Sequence, residues 1–174
     1  RIADPLMHLV RNALDHGLET PAQRQAAGKP AQGKLTLSAC HESGAILIRI
    51  TDDGCGMSPD DALLSLERHA TSKISSSHDI FNISTLGFRG EAVPSIASIS
   101  KFSLLTCDND SENGTLIIVD GGKVISASPA ARSQGTTTEV KQLFFNVPVR
   151  KKFQRSPIYD AQEIEKICVS FAMA

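Results

Sequence analysis

Residues able to bind an anion cluster in Leu86-Gly87-Phe88-Arg89-Gly90-Glu91-Ala92, preceded by Arg68-His69-Ala70-Thr71-Ser72-Lys73. Gly87 and Gly90 free the backbone of a loop that opens into an apolar, helix-like run of Ala92, Val93, Ile96, Ala97 and Ile99. Such a loop turns unpaired N–H groups toward a helix start, where phosphate oxygens bind well. Arg89 and Lys73 can add charge-assisted contacts to the same anion. Glycine pairs alone often mark only a tight turn. The basic partners upstream favour phosphate binding here.

A second chemical group lies at Asp52-Asp53-Gly54-Cys55-Gly56-Met57, directly after the alternating apolar residues Ile46, Ile48 and Ile50. That alternation predicts a half-buried strand over 45–51. A carboxylate at a strand end can accept a hydrogen bond from an exocyclic amine, and glycines let a flat ring approach the backbone. Asp-Asp-Gly is also an ordinary turn sequence. Farther on, Gly135-Thr136-Thr137-Thr138-Glu139-Val140 places a glycine and small hydroxyl donors ahead of a β-branched strand.

The element that must face these groups is the amino-terminal helix. Asp4-Pro5 reads as N-cap and first helical residue and Gly17 as the C′ residue, which predicts a helix over 5–16. Ile2, Leu6, Leu9, Val10 and Ala13 share one face. His8, Asn12 and Asp15 share the other. A solvated polar face has this pattern. So does a row aimed at a metal-bound polyphosphate, with Asn12 giving an oxygen to Mg²⁺.

Asn12, Asp52-x-Gly54-x-Gly56, Gly87-x-x-Gly90 and Gly135-Thr136-Thr137 occur in this order. The set resembles the N, G1, G2 and Thr boxes of the GHKL ATPases, the group of gyrase, Hsp90, histidine kinases and MutL. The resemblance implies one Bergerat-fold domain over 1–174, an α/β two-layer sandwich with a mixed, mostly antiparallel sheet, holding Mg-ATP under a lid. It implies ATP contacts from Asn12, Asp15, Asp52, Gly54, Gly56 and Met57. It adds Thr71, Ser72 and Lys73, then Gly87, Phe88, Arg89, Gly90, Glu91 and Ala92, and finally Thr136 and Thr137.

Within that group, the segment 54–174 resembles the mismatch-repair ATPase MutL, through Asp53-Gly54-Cys55-Gly56-Met57, the two loops above, and Leu143-Phe144-Phe145-Asn146-Val147-Pro148-Val149-Arg150-Lys151-Lys152-Phe153. The segment 1–53 resembles instead the chemotaxis kinase CheA, through His8-Leu9-Val10-Arg11-Asn12-Ala13-Leu14-Asp15-His16-Gly17 and the Gln-, Ala- and Gly-rich stretch 21–33. The pairing implies a hybrid joined near residue 53. MutL carries a glutamate as general base where this chain has His8. Positioning and Mg²⁺ electrostatics dominate phosphoryl transfer, so the implied domain binds nucleotide with weak or no hydrolysis. The alternatives are a MutL-type repair ATPase that drives DNA handling, and a kinase-type module in which His8 assists transfer to a protein histidine.

Composition narrows the partners. The 174 residues, 41% hydrophobic, suffice for one substantial core. A net charge of −1 gives no global basic field for nucleic acid. Arg150, Lys151, Lys152 and Arg155 read as a solvated segment, although the MutL resemblance keeps DNA contact open. Cys40, Cys55, Cys107 and Cys168 lack metal spacing, and no stretch approaches the ~20 apolar residues of a membrane span. A cytoplasmic protein with reduced thiols is the expectation. A start at Arg1 without methionine suggests an excised or processed piece.

The rest of the chain reads as a hairpin of strands 34–40 and 45–51 turned at Gly44, a helix from Ser58-Pro59-Asp60-Asp61 to Leu66, and a Ser-rich lid over 71–84. Strands are predicted over 101–106, 115–119, 123–126 and 136–143, and a closing helix over 161–172.

Overall fold

Alternating apolar residues build the sheet, and their spacing decides which face is dry. A computed structural model describes residues 3–42, 44–67 and 92–152. Its strands are β1 (Leu35–Glu42), β2 (Ala45–Asp52), β3 (Lys101–Cys107), β4 (Gly114–Asp120), β5 (Lys123–Ala130) and β6 (Gly135–Lys141). They form one sheet in the order β1-β2-β6-β3-β4-β5.

Every described strand pair is antiparallel, in keeping with the expected mixed, mostly antiparallel sheet. The crossover from β2 to β3 does leave those two strands pointing the same way. β6 lies between them and runs against both, so the parallel neighbours never meet.

Register aligns the core in rows. Ile48, Val140, Phe102 and Val119 lie side by side across β2, β6, β3 and β4, and all four are buried. The next row is Ile50, Thr138, Leu104 and Ile117. One step farther along the same face the row turns polar: Asp52, Thr136, Thr106 and Thr115. The opposite face is charged, with Arg49 paired to Glu139 at 2.7 Å and Lys141 to Glu42 at 2.9 Å.

Helices cover the apolar rows. Leu6, Leu9 and Val10 of α1 (Ala3–Asn12), Ala62 of α3 (Pro59–Leu64), and Ile96 and Ala97 of α4 (Ala92–Ala97) join the sheet residues in one core. Ser58 caps α3 as expected, accepting from the Asp61 N–H at 3.1 Å. Fully burying one such Leu or Ile stabilises by ~1.5–3 kcal/mol.

The amino-terminal helix departs from its expected limits. Asp4 lies inside α1 rather than at its N-cap, and a π-helical turn, Ala13–Gly17, follows Asn12. The Leu18 N–H donates to the Ala13 carbonyl at 2.8 Å, and Leu18 caps the turn in extended conformation. Gly17 therefore closes a widened turn instead of serving as a left-handed cap. The wider turn breaks the helical spacing between Asn12 and Asp15.

Two further helices arise where none was expected: α2 (Pro21–Ala26) and α5 (Pro148–Lys152). Thr20-Pro21-Ala22-Gln23 forms a capping box, with Thr20 and Gln23 bonded reciprocally. Strand β6 stops at Lys141 rather than 143, because Gln142 (φ 49°) and Phe144 (φ 65°) leave the extended region. The lid over 71–84 and the helix over 161–172 lie outside the described residues.

Candidate functional site

The polar end of the core face centres on Asp52, which is 6% exposed. Its Oδ1 accepts from the backbone N–H of Gly54 at 3.0 Å and of Thr136 at 3.2 Å. Among the described residues no donor reaches Oδ2. The carboxylate as a whole packs beside Gly17, where an added Cβ would sit 3.6 Å from Oδ2 and 3.7 Å from Oδ1. Burial pushes the Asp52 carboxyl above the ordinary aspartate range and neighbouring Asp53 adds to the rise, while the two N–H bonds and Arg132 oppose it. The result is a buried carboxylate with one oxygen held and one available.

Two glycines make this packing possible. A Cβ on Gly54 would overlap the Gly17 carbonyl, which also accepts from the Cys55 N–H at 2.8 Å. Gly56 adopts φ +70°, and a Cβ there would overlap the Cys107 carbonyl. The chain then delivers the Met57 N–H to Thr106 Oγ1 at 2.9 Å. Thr106 is wholly buried, and its hydroxyl also reaches Thr136 Oγ1 at 3.0 Å and the Gly135 carbonyl at 3.2 Å. Thr137 lies on the other face, where its Oγ1 meets Thr51 Oγ1 at 3.2 Å.

A set of charged residues that the sequence did not reveal surrounds this core. Arg24 is 1% exposed. It donates to the Pro30 carbonyl at 2.8 Å, Glu19 Oε2 at 3.1 Å, the Asp53 carbonyl at 3.1 Å and Asp53 Oδ2 at 2.9 Å. Lys29 Nζ reaches Glu19 Oε1 at 2.6 Å and the Gly54 carbonyl at 2.8 Å. Burial alone would raise the carboxyls of Glu19 and Asp53. Their hydrogen bonds and cationic neighbours win, and both lie below their ordinary values. Arg132 donates to the Gly135 carbonyl at 3.0 Å, Thr137 Oγ1 at 2.6 Å and the Asp52 carbonyl at 3.0 Å. The capping box at Thr20 was a legible sign of α2, but nothing in its Gln-rich sequence marks Arg24 as buried.

The structure thus brings Asp52, Gly54, Gly56, Met57 and Thr136 together from distant segments. His8 and Asp15 are exposed and Asn12 is half-buried at the junction of α1 with the π-helical turn. Ala92 opens α4. Thr71, Ser72, Lys73, Gly87, Phe88, Arg89, Gly90 and Glu91 lie outside the described residues. Among the described residues no group of three His, Cys, Asp or Glu side chains could hold a metal, and no helix is long and apolar enough to cross a membrane.

Residues 2–91, which contain the helix, Asp52 and its glycines, match the family described as histidine kinase-, DNA gyrase B- and HSP90-like ATPase. The chain belongs to this ATPase family. It is an ATP-binding domain of the GHKL type, and its antiparallel sheet with covering helices is the family's α/β fold. It is similar to the DNA mismatch repair protein MutL of Geobacter sulfurreducens, 42% identical over 174 residues that cover 100% of this chain and 26% of that protein. MutL of Pelobacter propionicus is 47% identical over 164 residues, covering 94% of this chain and 24% of the relative. The chain therefore spans about a quarter of the length of the curated relatives it matches. The ATPase domain of Aquifex aeolicus MutL complexed with ADP superposes with a TM-score of 0.64 at 25% identity, covering 98% of this chain and 54% of that one.

These matches correct the expected hybrid. The GHKL family match spans residues 2–91, on both sides of residue 53, and the alignment to the Geobacter relative covers all of this chain. Neither a junction with CheA nor a chemotaxis or histidine-kinase role finds support.

Proposed function

We propose that the chain is the Mg-ATP-binding domain of a mismatch-repair protein of the MutL kind, a single domain over its 174 residues. The observation that carries the reading is the arrangement of Asp52. One oxygen is pinned by two N–H groups, and the other has no donor among the described residues, with the Cβ-free Gly17 packed beside the carboxylate. An adenine exocyclic amine suits that acceptor, and the glycine leaves room for a flat ring. The similarity to a MutL ATPase domain complexed with ADP supports the same reading.

The other roles follow from placement and resemblance. Met57 and Thr136 would border the base, with Gly54 and Gly56 shaping the floor. Thr137, although on the other face, keeps its assignment through the Thr-box resemblance alone. Bound Mg²⁺ neutralises polyphosphate charge and needs oxygen ligands. Asn12 would hold it through its side-chain oxygen, with Asp15 nearby in sequence. Residues 71–73 and 87–92 would contact the phosphates through Lys73, Arg89 and backbone N–H groups. His8, one turn before Asn12, would take the place of a general base, with slow hydrolysis as the consequence. DNA is the further partner this reading suggests, through the basic residues of α5, and the cytoplasm is its setting.

Calorimetric titration with a non-hydrolysable ATP analogue, with and without Mg²⁺, tests the reading. Binding that Mg²⁺ strengthens, and that Asn12→Ala uncouples from Mg²⁺ without altering the circular dichroism spectrum, is the expected result. Absence of binding in both conditions contradicts it.

A further inference from the structure

Two peptide groups hold Asp52, and each is itself gripped from behind by an arginine. The N–H that Gly54 donates to Asp52 Oδ1 belongs to the peptide between Asp53 and Gly54. The carbonyl of that peptide, Asp53 O, accepts from Arg24 at 3.1 Å and from Lys29 Nζ at 3.2 Å. The N–H that Thr136 donates to Asp52 Oδ1 belongs to the peptide between Gly135 and Thr136. The carbonyl of that peptide, Gly135 O, accepts from Arg132 at 3.0 Å. In a planar trans peptide the C=O and N–H point in opposite directions. Each unit is therefore a continuous line from cation to carbonyl, through the peptide, to N–H and carboxylate.

Such lines do two things. A cation on the oxygen polarises the peptide and strengthens the bond its N–H makes on the far side. It also fixes the plane of the peptide, and so the direction of the N–H. The two N–H groups meet on Oδ1, which restrains the rotation of the carboxylate beside Gly17 and leaves Oδ2 with no donor among the described residues. Arg24 cannot easily drift, because Pro30, Glu19 and Asp53 Oδ2 take its other donors. Arg132 is tied to Thr137 Oγ1 at 2.6 Å and to the Asp52 carbonyl at 3.0 Å.

We propose that Arg24 and Arg132 are positioning residues that set base selectivity by acting through two peptide groups on Asp52. The proposal rests on the reading of Asp52 as the acceptor for the adenine amine. Neither arginine needs to touch the nucleotide. Lys29 shares the Arg24 arm, since it grips the same Asp53 carbonyl.

The test compares Arg132→Met, Arg132→Lys, Arg24→Met and Lys29→Met by titration with Mg-ATP, Mg-GTP and Mg-tripolyphosphate. Selectivity is read as the ratio of ATP to GTP affinity, which a general loss of folded protein leaves unchanged. In Arg132→Met and Lys29→Met the ratio should fall about 3- to 10-fold, the effect of weakening one hydrogen bond. Tripolyphosphate affinity should stay as in the unmutated protein, and Arg132→Lys should recover part of the ratio. Lys29 is the partly exposed member of its arm, so Lys29→Met serves if Arg24→Met does not fold. An unchanged ratio in both Arg132→Met and Lys29→Met overturns the proposal while leaving ATP binding intact. An unmutated protein that binds ATP and GTP equally overturns the assignment of Asp52 itself, and the proposal with it.

Discussion

Asp52 Oδ1 accepts a hydrogen bond from the Thr136 N–H at 3.2 Å, although 84 positions separate the two residues in sequence. Strand β6 makes this contact possible by inserting between β2 and β3, with Asp52 opposite Thr136 in register. A motif after one strand and a motif at the start of another thus become two sides of one carboxylate.

The protonation of Asp52 should separate binding from folding. Its pKa is raised in the folded protein, chiefly by burial, so its contribution to stability is complete below the unfolded value and lost as pH rises through the folded one. Glu19 and Asp53 are lowered despite the opposing effect of burial, so their contribution is present at higher pH and lost as pH falls through their folded values. On acidification Asp52 therefore takes up its proton first. Affinity for the ATP analogue should drop at a pH above the ordinary aspartate range, while thermal melts still show a folded protein. Asp52→Asn should lack this acid limb. Parallel binding and melting curves that fall together, with the limb retained in Asp52→Asn, would count against the assignment.

Close packing at Gly54 should make it intolerant of a methyl group. Gly54→Ala forces the new Cβ into the Gly17 carbonyl and strains the Cys55-to-Gly17 bond. Overpacking of this kind costs about 1–3 kcal/mol. For a domain of this size that lowers Tm by roughly 2–12 °C. Gly28→Ala is the control, because open space surrounds that residue and only its left-handed backbone resists. A Gly54→Ala melt no lower than that of Gly28→Ala would refute the packing argument.

Turnover should be limited by the group at His8. The side chain is exposed on α1, one turn before Asn12. An imidazole nitrogen can act as a base, yet its reach differs from that of a carboxylate. Misplacement by about 1 Å can cost ~100-fold in rate. His8→Glu should raise ATP hydrolysis at saturating nucleotide with little change in affinity. Equal rates for the two proteins would show that the base is not limiting.

Much of this fold was legible because period-two alternation and glycine punctuation are local signals. The hairpin turned at Gly44 forms where its sequence placed it, and the strands expected over 115–119 and 123–126 pair through a turn at Gly121 and Gly122. Strand order was not legible, since alternation tells which residues face the core but not which strand lies alongside. The π-helical turn after Asn12 also escaped, because Ala13 to Gly17 reads equally well as α-helix until the Ala13 carbonyl is seen bonded to Leu18. In the site, Asp52, Gly54 and Gly56 announced themselves through residue type. Arg24 and Arg132 could not, since only tertiary contacts bring a polar residue of a polar stretch against the site.

The most direct measurement is calorimetric titration of the unmutated protein and of Asp52→Asn with non-hydrolysable ATP and GTP analogues in the presence of Mg²⁺. Asp52→Asn keeps the shape of the side chain and replaces an acceptor oxygen with an amide. The account predicts clear preference for the ATP analogue in the unmutated protein, and a loss of about 1–3 kcal/mol for ATP in the variant, as when a buried polar partner is removed. Equal affinity of the unmutated protein for the two analogues, or unchanged ATP affinity in Asp52→Asn, would contradict it.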